Sequence, residues 1–377
     1  MNKVKLGDVA KYSDTRVKLS NLTVENYIGT DNMLQNKQGK VNSDYLLKEG
    51  QTTQYKKNDI LIANIRPYLK KIWFATNEGG SSADVLTIRL KENNFLPKFV
   101  YYNLFQDSFF DYAMKVSKGS KMPRGDKKQI LNFPISNFEL PTQSAIAGVL
   151  SSFDDKIALN NKINKELEDL AKTIYDYWLV QNADEKWERK RLKEFFTFSK
   201  GTEVGAKAYF ETKKNKNFVK FYRVGDIDGV CNTFVDMTDS NLVFVEPYDV
   251  IVTFDGSVGK IGIGLDGAIS SGLQKIYDPI GKIDNSVIWL IFLDKRIQKT
   301  IQQYATGSVL LHASRSIDYL TILYNEKIYF KFQKIVSPIF EQIIKNRQES
   351  THLAHLRDWL LPMLMNGQVS VKDPSIS

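Results

Sequence analysis

The sequence is nearly without cysteine. Of 377 residues only Cys231 carries a thiol, which excludes a disulfide framework and any Cys-rich zinc site. Histidine is almost as scarce, with three, too few for a metal-rich active site. No uninterrupted apolar run reaches the ~18 residues that a membrane span needs. The opening MNKVKLGDVAKYSD has no apolar stretch of the kind a secretory signal requires. These absences point to a reducing cytoplasm with no membrane partner. What is present is an ordinary globular balance, 42% hydrophobic and 25% charged, in a chain long enough for two or three domains of ~150 residues.

Charge is uneven along the chain. The net is +9 with a pI near 9.2. Residues 1–140 carry 22 basic and 14 acidic side chains, whereas 141–186 carry 5 and 8. The remainder is close to balance, 18 against 16 over 187–325 and 7 against 5 over 326–377. A basic surplus concentrated in one region points to a polyanionic partner, most simply nucleic acid, although such a net charge also serves ordinary solubility.

The chain repeats itself at a spacing near 188 residues, too long for a solenoid and therefore two copies of a whole domain. Lys5-Leu6-Gly7-Asp8-Val9 is answered by Arg191-Leu192-Lys193-Glu194-Phe195, and Asp59-Ile60-Leu61-Ile62-Ala63 by Asp249-Val250-Ile251-Val252-Thr253. Ser81-Ser82 is answered by Ser270-Ser271. Lys118-Gly119-Ser120 is answered by Thr306-Gly307-Ser308, with Arg124 and Arg315 following. Short β-branched runs bounded by Gly, Asn, Asp or Pro predict strands. Aromatic and Leu/Ile-rich stretches over 97–114 and 286–304 predict helices, so each copy reads as mixed α+β.

Each copy closes with a long helical pattern. Over 144–178 there is no proline, and Ile146, Leu150, Phe153, Ile157, Leu167, Leu170 and Ile174 recur at steps of three and four where continuous. The second copy shows Ile335, Ile339, Ile343, Leu353, Leu356 and Leu360 in the same rhythm, a coiled-coil seam. Aligning Ile157 on Ile343 brings Asn160 onto Asn346, Leu167 onto Leu353 and Leu170 onto Leu356. A polar residue on an apolar seam fixes register at a cost in stability, so these eight residues are expected to pair the helices.

The order of parts, the segment Leu140-Pro141-Thr142-Gln143-Ser144-Ala145-Ile146-Ala147 leading into Leu150-Ser151-Ser152-Phe153-Asp154-Asp155-Lys156-Ile157, and the ending Leu356-Arg357-Asp358-Trp359-Leu360-Leu361-Pro362-Met363-Leu364-Met365-Asn366-Gly367-Gln368 resemble the specificity subunit of a Type I restriction–modification system. The resemblance covers essentially the whole chain and is strongest in the helices. It implies an α+β fold with two α/β target recognition domains, separated by two long antiparallel coiled-coil helices in a pseudo-twofold internal repeat. The expected divisions are a first recognition domain over 1–140, a central helix over 141–184, a second recognition domain over 185–325 and a closing helix over 326–377. The implied function is non-catalytic: each domain reads half of a bipartite double-stranded DNA site. The helices set the spacing and dock two methyltransferase subunits for adenine methylation. Motor-nuclease subunits then cleave unmodified DNA.

Catalytic signatures are absent or weak. None of the ten prolines is adjacent to another, so the Asp/Asn-Pro-Pro-aromatic tetrapeptide of an amino-methyltransferase acting on a flipped base is missing. Gly262-Ile263-Gly264-Leu265-Asp266-Gly267 matches a dinucleotide fingerprint by letter but opens no helix, and reads as a glycine-rich hairpin. Gly256-Ser257-Val258-Gly259-Lys260-Ile261 lacks P-loop spacing. His352 and His355 stand three apart without a shared carboxylate, so no metal and no cofactor is expected. Cys231 reads as structural.

The candidate DNA-reading residues lie in basic and hydroxyl-rich loops, because Arg reads guanine bidentately while Lys, Ser and Thr hold phosphate. In the first copy they are Arg66, Tyr68, Lys70, Lys71, Lys118, Ser120, Lys121 and Arg124. In the second they are Lys200, Thr202, Arg223, Ser257, Lys260, Ser308 and Arg315. Two other readings stay open at this point: a duplicated nuclease or methyltransferase, and a coiled-coil scaffold with peptide-binding globules.

Overall fold

The computed structural model describes residues 2–46, 49–91, 94–229, 231–239, 241–307 and 311–371. Two compact units form, one from Met1–Lys156 with Leu353–Ser377 and the other from Ile157–His352.

Both units build their first sheet around one short apolar strand. Ile60–Ala63 and Val250–Thr253 are buried at all four positions, which β-branched residues satisfy when both faces of the sheet are covered. In the first unit the antiparallel order is Ala10–Tyr12, Val85–Leu90, Ile60–Ala63, Ile72–Phe74. In the second it is Thr197–Lys200, Leu273–Tyr277, Val250–Thr253, Ile261–Gly262. Each central strand is entered from a buried aspartate that closes a turn, Asp59 Oδ2 accepting from Lys56 N at 2.8 Å and Asp249 Oδ2 from Glu246 N at 2.7 Å. A buried carboxylate needs a partner, and the neighbouring strand supplies it: Arg89 to Asp59 at 2.7 Å and Lys275 to Asp249 at 2.6 Å.

The second sheets share three strands and differ in the fourth. Gln51–Tyr55, Gly79–Ser81 and Tyr27–Ile28 correspond to Val243–Val245, Gly267–Ile269 and Phe218–Tyr222, each set with one antiparallel and one parallel pairing. In the first unit Arg16–Lys18 adds beside Gln51–Tyr55, whereas in the second Phe234–Asp236 adds beside Phe218–Tyr222. The repeat has therefore diverged at opposite sheet edges.

A two-stranded ribbon opens and closes each copy, Lys3–Lys5 with Pro134–Ser136 and Glu188–Arg191 with Thr321–Tyr324. The basic-Leu segments found in the sequence follow these ribbons. Lys5 N donates to Asp8 Oδ2 and Arg191 N to Glu194 Oε1, at 3.1 and 3.3 Å, while Leu6 and Leu192 are wholly buried. Each predicted helical stretch is broken once. Pro97–Phe105 is followed by Asp107–Lys115, and Asn285–Leu293 by Lys295–Gln303. At the second break Asp294 accepts from Arg296 N at 2.7 Å, an N-cap that starts a new helix.

The long helices are Leu140–Tyr175 and Glu326–Met365, each spanning roughly 55–60 Å at ~1.5 Å per residue. Within the second unit they pack antiparallel. Asn160 Nδ2 donates to Glu349 Oε2 at 2.7 Å, Asn346 Nδ2 donates to Asn164 Oδ1 at 2.8 Å, and Tyr175 stacks edge-on against Phe332. Asn160, Asn164 and Asn346 are all buried. Within the first unit Arg357 Nη1 pairs with Asp154 Oδ1, and Ile146 and Leu150 join Leu361, Leu364 and Met365 in one core.

The buried side of each helix differs in part from the expected seam. Ile157, Leu167, Leu353 and Leu356 are half-buried, and Ile343 is buried. Leu170 is 49% exposed, and the wholly buried Ala171 takes its place. The steps 160, 164, 167, 171 keep to one face of the helix, and 170 falls beside it. Ile335 is likewise exposed, and Phe332, Val336 and Phe340 face the core instead. Glu326–Met365 also runs through Pro338 and Pro362. Pro338 leaves the Lys334 carbonyl without its helical N–H, and the buried residues on either side hold the helix together.

Replacing Asn346 by Leu should cost about 1–3 kcal/mol, because Asn164 Oδ1 is left buried without a donor. The double replacement of Asn164 and Asn346 by Leu should recover most of that loss. Urea denaturation of the two variants checks it; a double variant no more stable than the single would show that the amides do not act as a pair.

Candidate nucleic-acid interface

The candidate loops grow directly out of the buried central strands. Past Ala63 the chain leaves the sheet and meets the hairpin formed by Ser117–Lys118 and Arg124–Gly125. Asn64 N donates to Asp84 O at 2.8 Å, Gly125 N to Asn64 O at 3.1 Å, and Arg66 N to Pro123 O at 2.7 Å, with Ile65 opposite Arg124. The second unit repeats this junction bond for bond. Phe254 N donates to Gly272 O at 3.2 Å, Ala313 N to Phe254 O at 2.7 Å, and Gly256 N to Leu311 O at 2.8 Å, with Asp255 opposite His312. The junction shows that His312, not Arg315, is the counterpart of Arg124. Sequence alignment on Arg alone missed this, and the ladder decides it.

The backbone conformation is repeated as well. Arg66 lies in the left-handed region at φ 52° and Gly256 occupies the equivalent place at φ 72°. Glycine adopts this conformation freely, whereas a side chain there costs about 1 kcal/mol or more. The Arg66 side chain is exposed and has no ion-pair partner among the described residues, while its backbone is held by the bond to Pro123 O.

The remaining candidates of the first unit separate into two groups. Lys118, Ser120, Lys121 and Arg124 lie exposed on the hairpin, and Tyr68 is exposed on the neighbouring turn. Lys118 reaches Asp126 at 3.2 Å and Arg124 reaches Asp84 at 2.7 Å, pairs that leave both cations facing solvent. Lys70 and Lys71 serve the fold instead. Lys70 shares Asp107 with Lys37, both at 3.0 Å. Burial pushes the Asp107 carboxyl up, but the two ammonium groups outweigh it and hold the carboxyl below its usual range. Lys71 donates to Thr30 O at 2.6 Å, and burial lowers its pKa. Both lysines tie down the loop at 30–37, where Asn36 N and Lys37 N donate to Leu69 O and Lys70 O.

In the second unit nearly every candidate cation has an acid beside it. Lys200 lies 4.0 Å from Asp255, Lys260 lies 3.9 Å from Asp228, and Arg223 lies 3.5 Å from Asp226. Arg223 also donates to Thr233 Oγ1. The Thr202 hydroxyl donates to Asn241 O, so it is spent within the fold. Ser257 and Arg315 are exposed, Arg315 without an ion pair among the described residues. Ser308 lies outside the described residues. The candidate set leaves out two residues that meet here, Asp255 and His312, with Asp255 Oδ1 2.7 Å from His312 Nδ1.

The other motifs resolve as local structure. The glycine run at 262–267 is not a hairpin: Ile261–Gly262 and Gly267–Ile269 lie in different sheets, and no helix follows. A Cβ on Gly267 would stand 2.3 Å from Lys220 O, so close packing explains that glycine. Cys231 is buried and donates to Phe221 O, and burial raises its thiol pKa. His352 and His355 are exposed. Among the described residues no group of three or more His, Cys, Asp or Glu side chains could hold a metal, and no helix is long and apolar enough to cross a membrane.

Residues 1–169 match the family described as the Type I restriction modification DNA specificity domain. The chain is 26% identical to the Type I restriction enzyme MjaIX specificity subunit of Methanocaldococcus jannaschii, over 76% of this chain and 74% of that one. It is 21% identical to the HindI specificity subunit of Haemophilus influenzae, over 97% and 98%. The chain is similar over nearly its whole length to specificity subunits of Type I restriction–modification systems. Its fold agrees with the crystal structure of the S subunit of the Type-I system from M. genitalium, at a TM-score of 0.53 and 18% identity over 97% of this chain and 96% of that one.

Replacing Arg66 by Gly should raise stability by about 1 kcal/mol, since it removes the strain of a side chain in the left-handed region. Gly256→Ala should lower stability by a similar amount. Thermal denaturation of both variants checks the pair of signs.

Proposed function

We propose that the chain is a Type I specificity subunit in which each unit reads one half of a bipartite DNA site, the first through 1–140 and the second through 185–325. The observation that carries the reading is the duplicated junction. One hydrogen-bonded framework appears twice and presents different exposed side chains each time: Arg66, Lys121 and Arg124 in one copy, Lys260, His312 and Arg315 in the other. A common scaffold with different side chains suits two half-sites of different sequence. The first unit, with more cations free of acids, leans on charge. The second leans on hydrogen bonds and shape.

The helices at 141–184 and 326–377 set the separation of the half-sites, which must keep phase around the duplex. Two methyltransferase subunits dock on these helices and modify adenine, and motor-nuclease subunits cleave unmodified DNA, all in the cytoplasm where the DNA is accessible. The large apolar side chains left exposed on the helices, Leu159, Leu170 and Trp359, suit partner contact.

Mapping methylated adenines in a host that expresses the chain with its methyltransferase subunits should give a split motif that vanishes when the chain is omitted. Methylation unchanged without the chain removes the specificity role. Arg66→Ala or Arg124→Ala should relax one half of the motif and leave the other intact, with subunit assembly retained. Trp359→Ala should weaken co-purification with the methyltransferase without lowering the melting temperature; retained co-purification would place docking elsewhere.

A further inference from the structure

We infer that His312 is a specificity-determining residue of the second unit, touching the edge of a base in that unit's half-site, and that Asp255 is its positioning residue. The inference rests on the DNA-reading function proposed above.

Its first support is position. His312 takes the place of Arg124 in a junction whose backbone hydrogen bonds are the same in both units. The second is the way each side chain is held. Arg124 is fixed by Asp84, 2.7 Å away. The second-unit equivalent of Asp84 is Gly272, which has no side chain to offer. A carboxylate appears instead at Asp255, where the first unit has Ile65, and it lies 2.7 Å from the His312 ring. The nitrogen side chain and its carboxylate have thus been kept together although the carboxylate comes from a different strand position. A loop selected only for solubility supplies no reason for that. The third is exposure: the His312 side chain is 58% exposed, whereas Asp255 is only 16% exposed.

The chemistry follows from the pair. A carboxylate oxygen accepts, so His312 Nδ1 carries the proton and Nε2 is the ring atom left for a ligand. In the neutral ring Nε2 offers a lone pair, which matches the exocyclic amino groups of adenine or cytosine in the major groove. Lys200 stands 4.0 Å from the other oxygen of Asp255, so the carboxylate faces a cation on that side as well as the His312 ring.

The test uses the methylation map with the full chain and its methyltransferase subunits. In His312→Ala, base preference at one position should relax about fivefold or more, in the half of the motif that Arg124→Ala leaves unchanged. Asp255→Asn should relax the same position less. His312→Arg should move that position toward guanine, the base Arg reads bidentately. A change in base identity is a readout that a purely structural role does not produce. Unchanged preference at every position in all three variants overturns the inference. So does a uniform loss of methylation without change of motif, which would mark His312 as a phosphate contact. A wild-type chain that gives no chain-dependent motif overturns the DNA-reading function itself, and the inference falls with it.

Discussion

The feature on which each unit depends is a short apolar strand entered from a buried, ion-paired aspartate. Asp59 and Asp249 close the turn before the strand and are held by a cation from the adjoining strand. The carboxylate and its partner anchor the strand, and a slip of one residue would turn every buried side chain to the other face. With the strand fixed, the residues that follow it emerge at a set place and angle, and those are the residues of the candidate interface. The cation is directly opposite in the first unit and one pleat along in the second, so the constraint is met by geometry and not by a particular residue at a particular place.

A second constraint acts in the helices. Asn160, Asn164 and Asn346 are buried amides on an otherwise apolar packing face, and each must find its partners across the helix pair. Apolar side chains alone would tolerate sliding by a turn, whereas amides left unpaired in a buried seam are costly. The helices are therefore registered by polar groups and stabilised by apolar ones.

The candidate interface shows how one framework supports two surfaces. Backbone hydrogen bonds do the positioning in both copies, which frees the side chains to diverge. Arg66 sits where glycine would be unstrained, as at Gly256, and its side chain is exposed. The same freedom accounts for the exchange of Asp84 for Asp255 as the carboxylate beside the nitrogen side chain.

The sequence by itself determined the duplication, the β-rich character of each copy, the long helices, and the shared Asn160 and Asn346. All of these are periodic or repeated features, and periodicity survives without knowledge of contacts. It also led through its helical segments to the resemblance to Type I specificity subunits. Only the tertiary structure decided which candidate cations face solvent. Lys70 and Lys71 look no different in sequence from Lys118 and Lys121, yet Asp107 and Thr30, distant in the chain, take them for the fold. It likewise decided that Ala171 and not Leu170 is buried, and that Glu326–Met365 continues through two prolines, because burial of flanking residues outweighs local propensity. The equivalence of Arg124 and His312 belongs to this second class: unlike side chains were brought to one place by backbone pairing, and backbone pairing leaves no mark on residue type.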